Sequence, residues 1–272
     1  MIDIINEMLS FPFMVRAIVV GSLTSICASL LGVNLVLKRY SMIGDGLSHV
    51  GFGALAVALV AGQSPLPIAI AACVLASFFL LRLSENSKLK GDAAIALVSA
   101  SSLAAGVMMI SVTSGINTDV CNFMFGTILA MNSEDANLSI WLIIAVIIIY
   151  VFFYHNFFLL TFDEEFAKAA GRRVSLYKGV LSILVAITVV VGMRMMGALM
   201  ISSLLIFPAT SAIQLASTYR RVTIISVLIS LFCFFVGMYV AYAAEIPAGA
   251  TIVLVNLCVF TISALIRKIR TI

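Results

Sequence analysis

Nine stretches of the sequence are each long and apolar enough to cross a bilayer as a helix: roughly 17–37, 43–62, 65–82, 93–113, 137–160, 176–193, 196–216, 222–244 and 248–266. About 20 such residues span the hydrocarbon layer, where no water is present to satisfy backbone N–H and C=O groups. Segments of this kind therefore fold as helices packed side by side. Only 10% of the 272 residues are charged, against about a quarter in a typical soluble domain. The expectation is one transmembrane domain over residues 1–272, an all-α polytopic bundle. The separator GMRMMG between the sixth and seventh runs is thin, so these two form either one broken helix or two, giving eight or nine spans.

The start, MIDIINEMLSFPF, is acidic where a cleavable leader is basic, so the first apolar run is expected to stay as a span. Short loops rich in Lys and Arg stay cytoplasmic. With the N-terminus outside, 14 of the 16 basic residues fall in inward loops, and Arg16 and Arg194 are the two left outside. The net charge of +4 thus belongs to loops and does not describe a nucleic-acid surface. Two connections exceed simple turns. The outer one, 113–135, carries an apolar patch too short to cross and reads as a re-entrant or interfacial helix. The inner one, TFDEEFAKAAGRRVS, has acids first, then alanines, then Gly171, Arg172 and Arg173. That order suits a helix dipole and predicts a short surface helix.

Asp45 and His49 stand out because they lie inside the second apolar run, where an ionised carboxylate costs about 3 kcal/mol or more. At a spacing of i, i+4 they share a helix face. An imidazole with a carboxylate suits a divalent transition metal, but two donors are too few for a cage. A symmetric dimer would supply two aspartates and two histidines across its axis. Gly44, Gly46, Gly51 and Gly53 would permit close helix approach there. The bland reading stands beside this one: Asp45 as an N-cap and His49 hydrogen-bonded to a neighbouring helix.

Other features read as structural. Arg194 and His155 lie at span ends, the 13 methionines and five scattered cysteines fill helix contacts, and Pro208 is expected to kink or break the seventh span. The sequence holds no G-x-x-x-x-G-K-[ST] phosphate loop and no H-E-x-x-H or G-x-S-x-G motif. Any ATP hydrolysis that powers such a chain takes place on another subunit.

The stretches MIGDGLSHVGFGALA, FGTILAMNSED, FDEEFAKAAG, GALMISSLLIFPATSA and IPAGATIVL resemble the membrane permease subunits of ABC importers for zinc, manganese and ferrous iron. The resemblance implies a homodimer that works with a cytoplasmic ATPase subunit and an extracytoplasmic metal-binding protein in a bacterial cell membrane, and no enzyme activity of its own. It implies that Asp45 and His49 contact transported Zn2+ or Mn2+, with Fe2+ a further cargo. It also implies that 162–173 is a coupling helix meeting the ATPase through Glu165, Ala167 and Gly171. Gly46 and the run VGFG depart from the alanine and proline-containing pattern of the family, which bears on local packing and leaves the ligands in place. The rival reading is a proton- or ion-coupled secondary carrier, with Asp45 and His49 as a proton relay.

Overall fold

A computed structural model describes residues 10–86, 91–114 and 133–270. Among these residues there are helices and no strands: α1 Pro12–Leu37, α2 Met42–Val60, α3 Pro65–Asn86, α4 Gly91–Ser114, α5 Ser133–Phe152, α6 Tyr154–Phe162, α7 Glu164–Ala169, α8 Val174–Met196, α9 Ala198–Leu215, α10 Tyr219–Ala244 and α11 Ala248–Arg270. Seven are long and apolar enough to cross a membrane, and the count reaches eight if α5 and α6, bent by 67° at their break, form one span. The apolar part of α3, Pro65–Leu80, is shorter. The re-entrant segment expected at 113–135 falls largely outside the described residues, as do Lys88, Lys90 and Cys121.

The GMRMMG separator ends one helix and starts another, because Gly197 takes φ +85°, a backbone that side-chain-bearing residues rarely adopt. Of the kink or break expected at Pro208, the break does not occur: α9 runs through the residue as one helix. The residue is buried, and Thr210 Oγ1 hydrogen-bonds the carbonyls of Ile206 and Phe207 beside it.

α2 is the hub of the bundle. A Cβ on Gly46 would come within 2.7 Å of Ile95 on α4, and one on Gly51 within 2.8 Å of Met193 on α8. On Gly53 it would lie 2.8 Å from the Ser102 carbonyl oxygen, again on α4. The glycines flanking the polar pair thus serve contacts within one chain. α1 crosses α9 closely at Gly32, where any Cβ would overlap the Leu205 carbonyl oxygen. Small hydroxyls join α1 to α10, with Ser230 Oγ donating to the Ser25 carbonyl at 2.9 Å. Cys27, Cys73 and Cys233 are buried fillers, whereas Cys258 is exposed.

One end of the bundle gathers the basic turns. α1 closes with Arg39 at φ +61°, the Tyr40 N–H bonding to the Leu35 carbonyl and the Arg39 N–H to that of Val36. This is a Schellman cap, and it turns the chain directly into α2. At the same end Asn34 forms a fully buried polar knot. Its Nδ2 donates to Tyr150 Oη at 2.8 Å, and its Oδ1 accepts from Tyr219 Oη and from Thr161 Oγ1, both at 2.9 Å. Four helices, α1, α5, α6 and α10, are joined there.

These contacts yield a stability comparison. Gly32→Ala forces a methyl into fixed backbone and is expected to cost about 3 kcal/mol or more. Gly62→Ala has open space around its Cβ and pays only for φ +64°, roughly 1 to 2 kcal/mol. Thermal unfolding of the detergent-solubilised protein should show the larger drop for Gly32→Ala; the reverse order would refute the α1–α9 crossing.

Candidate functional site

Asp45 and His49 lie on α2 as the spacing requires, with His49 Nε2 3.7 Å from Asp45 Oδ2. The separation exceeds a hydrogen bond, and the two side chains lie side by side on adjacent turns of one helix face. Asp45 is not the helix cap: Ser41 holds that position, and the carboxylate turns sideways, its Oδ1 accepting from Ser202 Oγ on α9 at 3.2 Å. Gly44 abuts Leu205 in the middle of α9, so the pair sits within the depth of the bundle. The side chain of His49 is 19% exposed and that of Asp45 38%. With Met42 they form an i, i+3, i+7 stripe on the face of α2 that its neighbours leave open. Leu199 and Ser202 continue this open surface on α9.

Within one chain the stripe presents two side chains that could act as metal donors. Among the described residues no group of three or more His, Cys, Asp or Glu side chains comes together. His155 lies apart on α6, exposed, its ring edge-on to Tyr154 at 5.7 Å. Arg194 is half-buried in the last turn of α8. Met193, which meets Gly51 on α2, and Met196, which meets Gly21 on α1, are buried core packing.

The second element of interest is α7. Asp163 caps it, accepting from the Phe166 N–H at 2.8 Å. Its far end is a Schellman turn with Gly171 at φ +74°, closed by the Arg172 N–H on the Ala167 carbonyl. Of the three residues expected to meet a partner, Glu165 and Gly171 are exposed, but Ala167 is 3% exposed and packs into the bundle. Ala167 therefore seats the helix, because a six-residue helix must bury one side to stay folded. Its open side carries Glu165, Lys168 and the 57% exposed Phe166. Phe166 escaped the sequence reading because one aromatic in a membrane protein is no signal.

Glu164 also escaped it. Its carboxylate pairs with Lys38 at the end of α1 and, at 2.7 Å, with Lys178 near the start of α8. Burial, the largest single influence, pushes this carboxyl up, yet hydrogen bonds and charge from Lys178 and Lys38 together outweigh it and hold the group below the ordinary glutamate range. A carboxyl depressed on folding contributes stability that is complete above its unfolded value and is lost as pH falls through the folded one. The seat of α7 should therefore stay intact from pH 8 to pH 5 and loosen only in stronger acid. Amide exchange of residues 164–169, corrected for intrinsic rate, checks this; loosening already at pH 6 would contradict the pairing.

A bundle of this kind, with an intramembrane polar pair and a short helix packed against its basic end, defines a multi-pass membrane transport subunit. Residues 10–267 match the family described as the ABC 3 transport family, and the chain belongs to it. It is 29% identical to the manganese import system permease protein ScaB of Streptococcus gordonii, over 96% of this chain and 94% of that one. It is 30% identical to a probable iron transport system membrane protein of Haemophilus influenzae, over 99% of each. Among solved structures, PsaBC from Streptococcus pneumoniae in complex with Fab superposes with a TM-score of 0.86 at 29% identity, covering 97% of this chain and 95% of that chain. The expected permease subunit of an ABC metal-transport system is met by the family, the relatives and the fold together. The protein is a multi-pass bacterial membrane protein and no enzyme in its own right, ATP being hydrolysed by a separate subunit of the system.

Proposed function

We propose that two copies of this chain form the path by which a divalent transition metal, Mn2+ or Zn2+, enters the cytoplasm, with Asp45 and His49 of both copies as its ligands. The observation that carries this reading is the open stripe on α2. A carboxylate and an imidazole that remain partly exposed within an apolar bundle, at 38% and 19%, are costly at membrane depth unless another protein surface covers them. A second copy related by a twofold axis covers the stripe with itself and completes a set of two carboxylates and two imidazoles. With metal–ligand bonds of about 2.1 Å, the 3.7 Å between Nε2 and Oδ2 subtends roughly 120°, which a tetrahedral or five-coordinate ion tolerates. Mixed oxygen and nitrogen donors without thiolate suit manganese well and leave zinc and ferrous iron as competitors. Two relatives named for manganese and iron favour the same class of cargo.

The bundle then has eight or nine spans, with the N-terminus outside and α7 and the C-terminus in the cytoplasm, following the basic residues. Segment 162–173 is the coupling segment. Its exposed Glu165 and Gly171, with Phe166 beside them, meet the ATPase, while Ala167 holds α7 to the bundle. An extracytoplasmic metal-binding protein delivers the cation to the outer mouth. Ser202 steers the Asp45 carboxylate by hydrogen bonding to Oδ1, leaving Oδ2 for the metal. A secondary carrier, the rival reading, has no use for a docking helix and is not the family found here.

The test is uptake of Mn2+ into vesicles holding the chain with its ATPase and binding protein. Asp45→Asn and His49→Gln preserve shape but remove two of four ligands in a dimer, and each is expected to lower uptake at least tenfold at equal protein level. Uptake within twofold of wild type in either variant would move the translocation site elsewhere.

A further inference from the structure

Glu164 is the one carboxylate of α7 turned toward the bundle. Glu165 points away, its side chain 85% exposed and paired with Lys168 at 2.8 Å on the same helix. Glu164 instead bridges two lysines from separate helices, and both are largely withdrawn from water, Lys38 at 8% and Lys178 at 17% exposure. A single exposed pair contributes little and is easily replaced by water. A carboxylate held between two sheltered ammonium groups is different, because its charge meets two largely buried cations at once and water competes poorly for either pair.

The position of Lys38 gives this joint its consequence. Lys38 is the C-cap of α1, and the tight turn through Arg39 and Tyr40 leads into α2 three residues before Asp45. Just above, Thr161 of α6 bonds to Asn34 of α1, so the chain entering α7 is tied to α1 twice, once by charge and once by the buried polar knot. Movement of α7 relative to the bundle cannot occur without shifting the α1–α2 turn or breaking these bonds. Packed cores with such fixed contacts move as units.

We propose that Glu164, clasped by Lys38 and Lys178, is the joint that carries displacement of α7 to the Asp45 and His49 helix, a positioning residue for transport that touches neither metal nor ATP. This rests on the reading of α7 as the segment that docks on the ATPase. Glu164 is suited to the task because its ion pairs fix direction as well as distance: Lys38 draws it toward the α1–α2 turn and Lys178 toward α8. The same ATP-driven shift of α7 would thereby pull on both sides of the crevice lined by Leu35, Lys38, Tyr40, Ile43, Lys178 and Leu181.

The experiment uses the full transporter with its ATPase in vesicles and Mn2+ as probe. A cysteine at Glu165 first reports docking by crosslinking to the ATPase. Metal moved per ATP hydrolysed is then measured for Glu164→Gln, Lys38→Gln and their double mutant, with Lys38→Arg as the conservative variant. The expectation is retained crosslinking, at least a fivefold loss of metal per ATP in each single mutant, no further loss in the double mutant, and recovery in Lys38→Arg. Non-additivity of that kind marks residues acting through one contact. If Glu164→Gln fails to assemble, Lys38→Gln alone carries the same comparison. Crosslinking intact with metal per ATP within twofold of wild type overturns the joint and leaves the docking reading standing. Absence of any crosslink in the otherwise wild-type chain overturns both.

Discussion

The cost of an ionised carboxylate away from water, about 3 kcal/mol even on the most lenient scale, shapes everything around Asp45. α2 is closed on two opposite sides by contacts too tight for a Cβ, at Gly44 and Gly51 on one and at Gly46 and Gly53 on the other, and these commit it to its own bundle. One remaining side carries Asp45 and His49. The bundle can thus be well packed and still leave one polar stripe partly open, which is the surface the proposed second copy would cover. The Ser202 hydroxyl relieves part of the cost by supplying one hydrogen bond to the carboxylate.

Under the proposed coupling role of α7, the rest of the architecture works as a lever system. α2 must hold its polar stripe at membrane depth, yet an importer must alternate which side that stripe can see. The short path from Asp45 back through the α1–α2 turn to Lys38 offers a mechanical connection at the basic end. α7 is well suited to push on it: it is capped at both ends, seated by Ala167, and too short to bend. Binding energy from nucleotide, spent on a separate chain, can then reach the metal by displacement of packed segments, without any catalytic group in this protein.

Much of this was legible in the sequence. The apolar runs located the long helices because hydropathy at the length of a bilayer is an unusually strong signal. The pairing of Asp45 with His49 could be read because both residues lie on one helix, where spacing alone fixes the geometry. The order of charge in DEEFAKAAGRR gave α7 and its glycine-closed end. What was not legible depends on contacts between distant residues. Ser202 meets Asp45 across 157 positions, and Glu164 meets Lys38 across 126. No periodicity encodes either distance. The bend between α5 and α6 was hidden because its sequence, VFFYHNFF, is apolar on both sides of the break. That α9 continues unbroken through Pro208 was likewise not legible, since the packing that surrounds a buried proline is not displayed by the sequence.

The central claim is that Asp45 and His49 of two copies close on one cation. The direct measurement is anomalous diffraction from crystals of the transporter soaked with Mn2+. The account predicts a single manganese peak on the twofold axis, about 2.0 to 2.3 Å from the His49 Nε2 and Asp45 carboxylate oxygens of both copies. A manganese peak elsewhere in the membrane region, with the Asp45 and His49 stripe facing lipid, would contradict it.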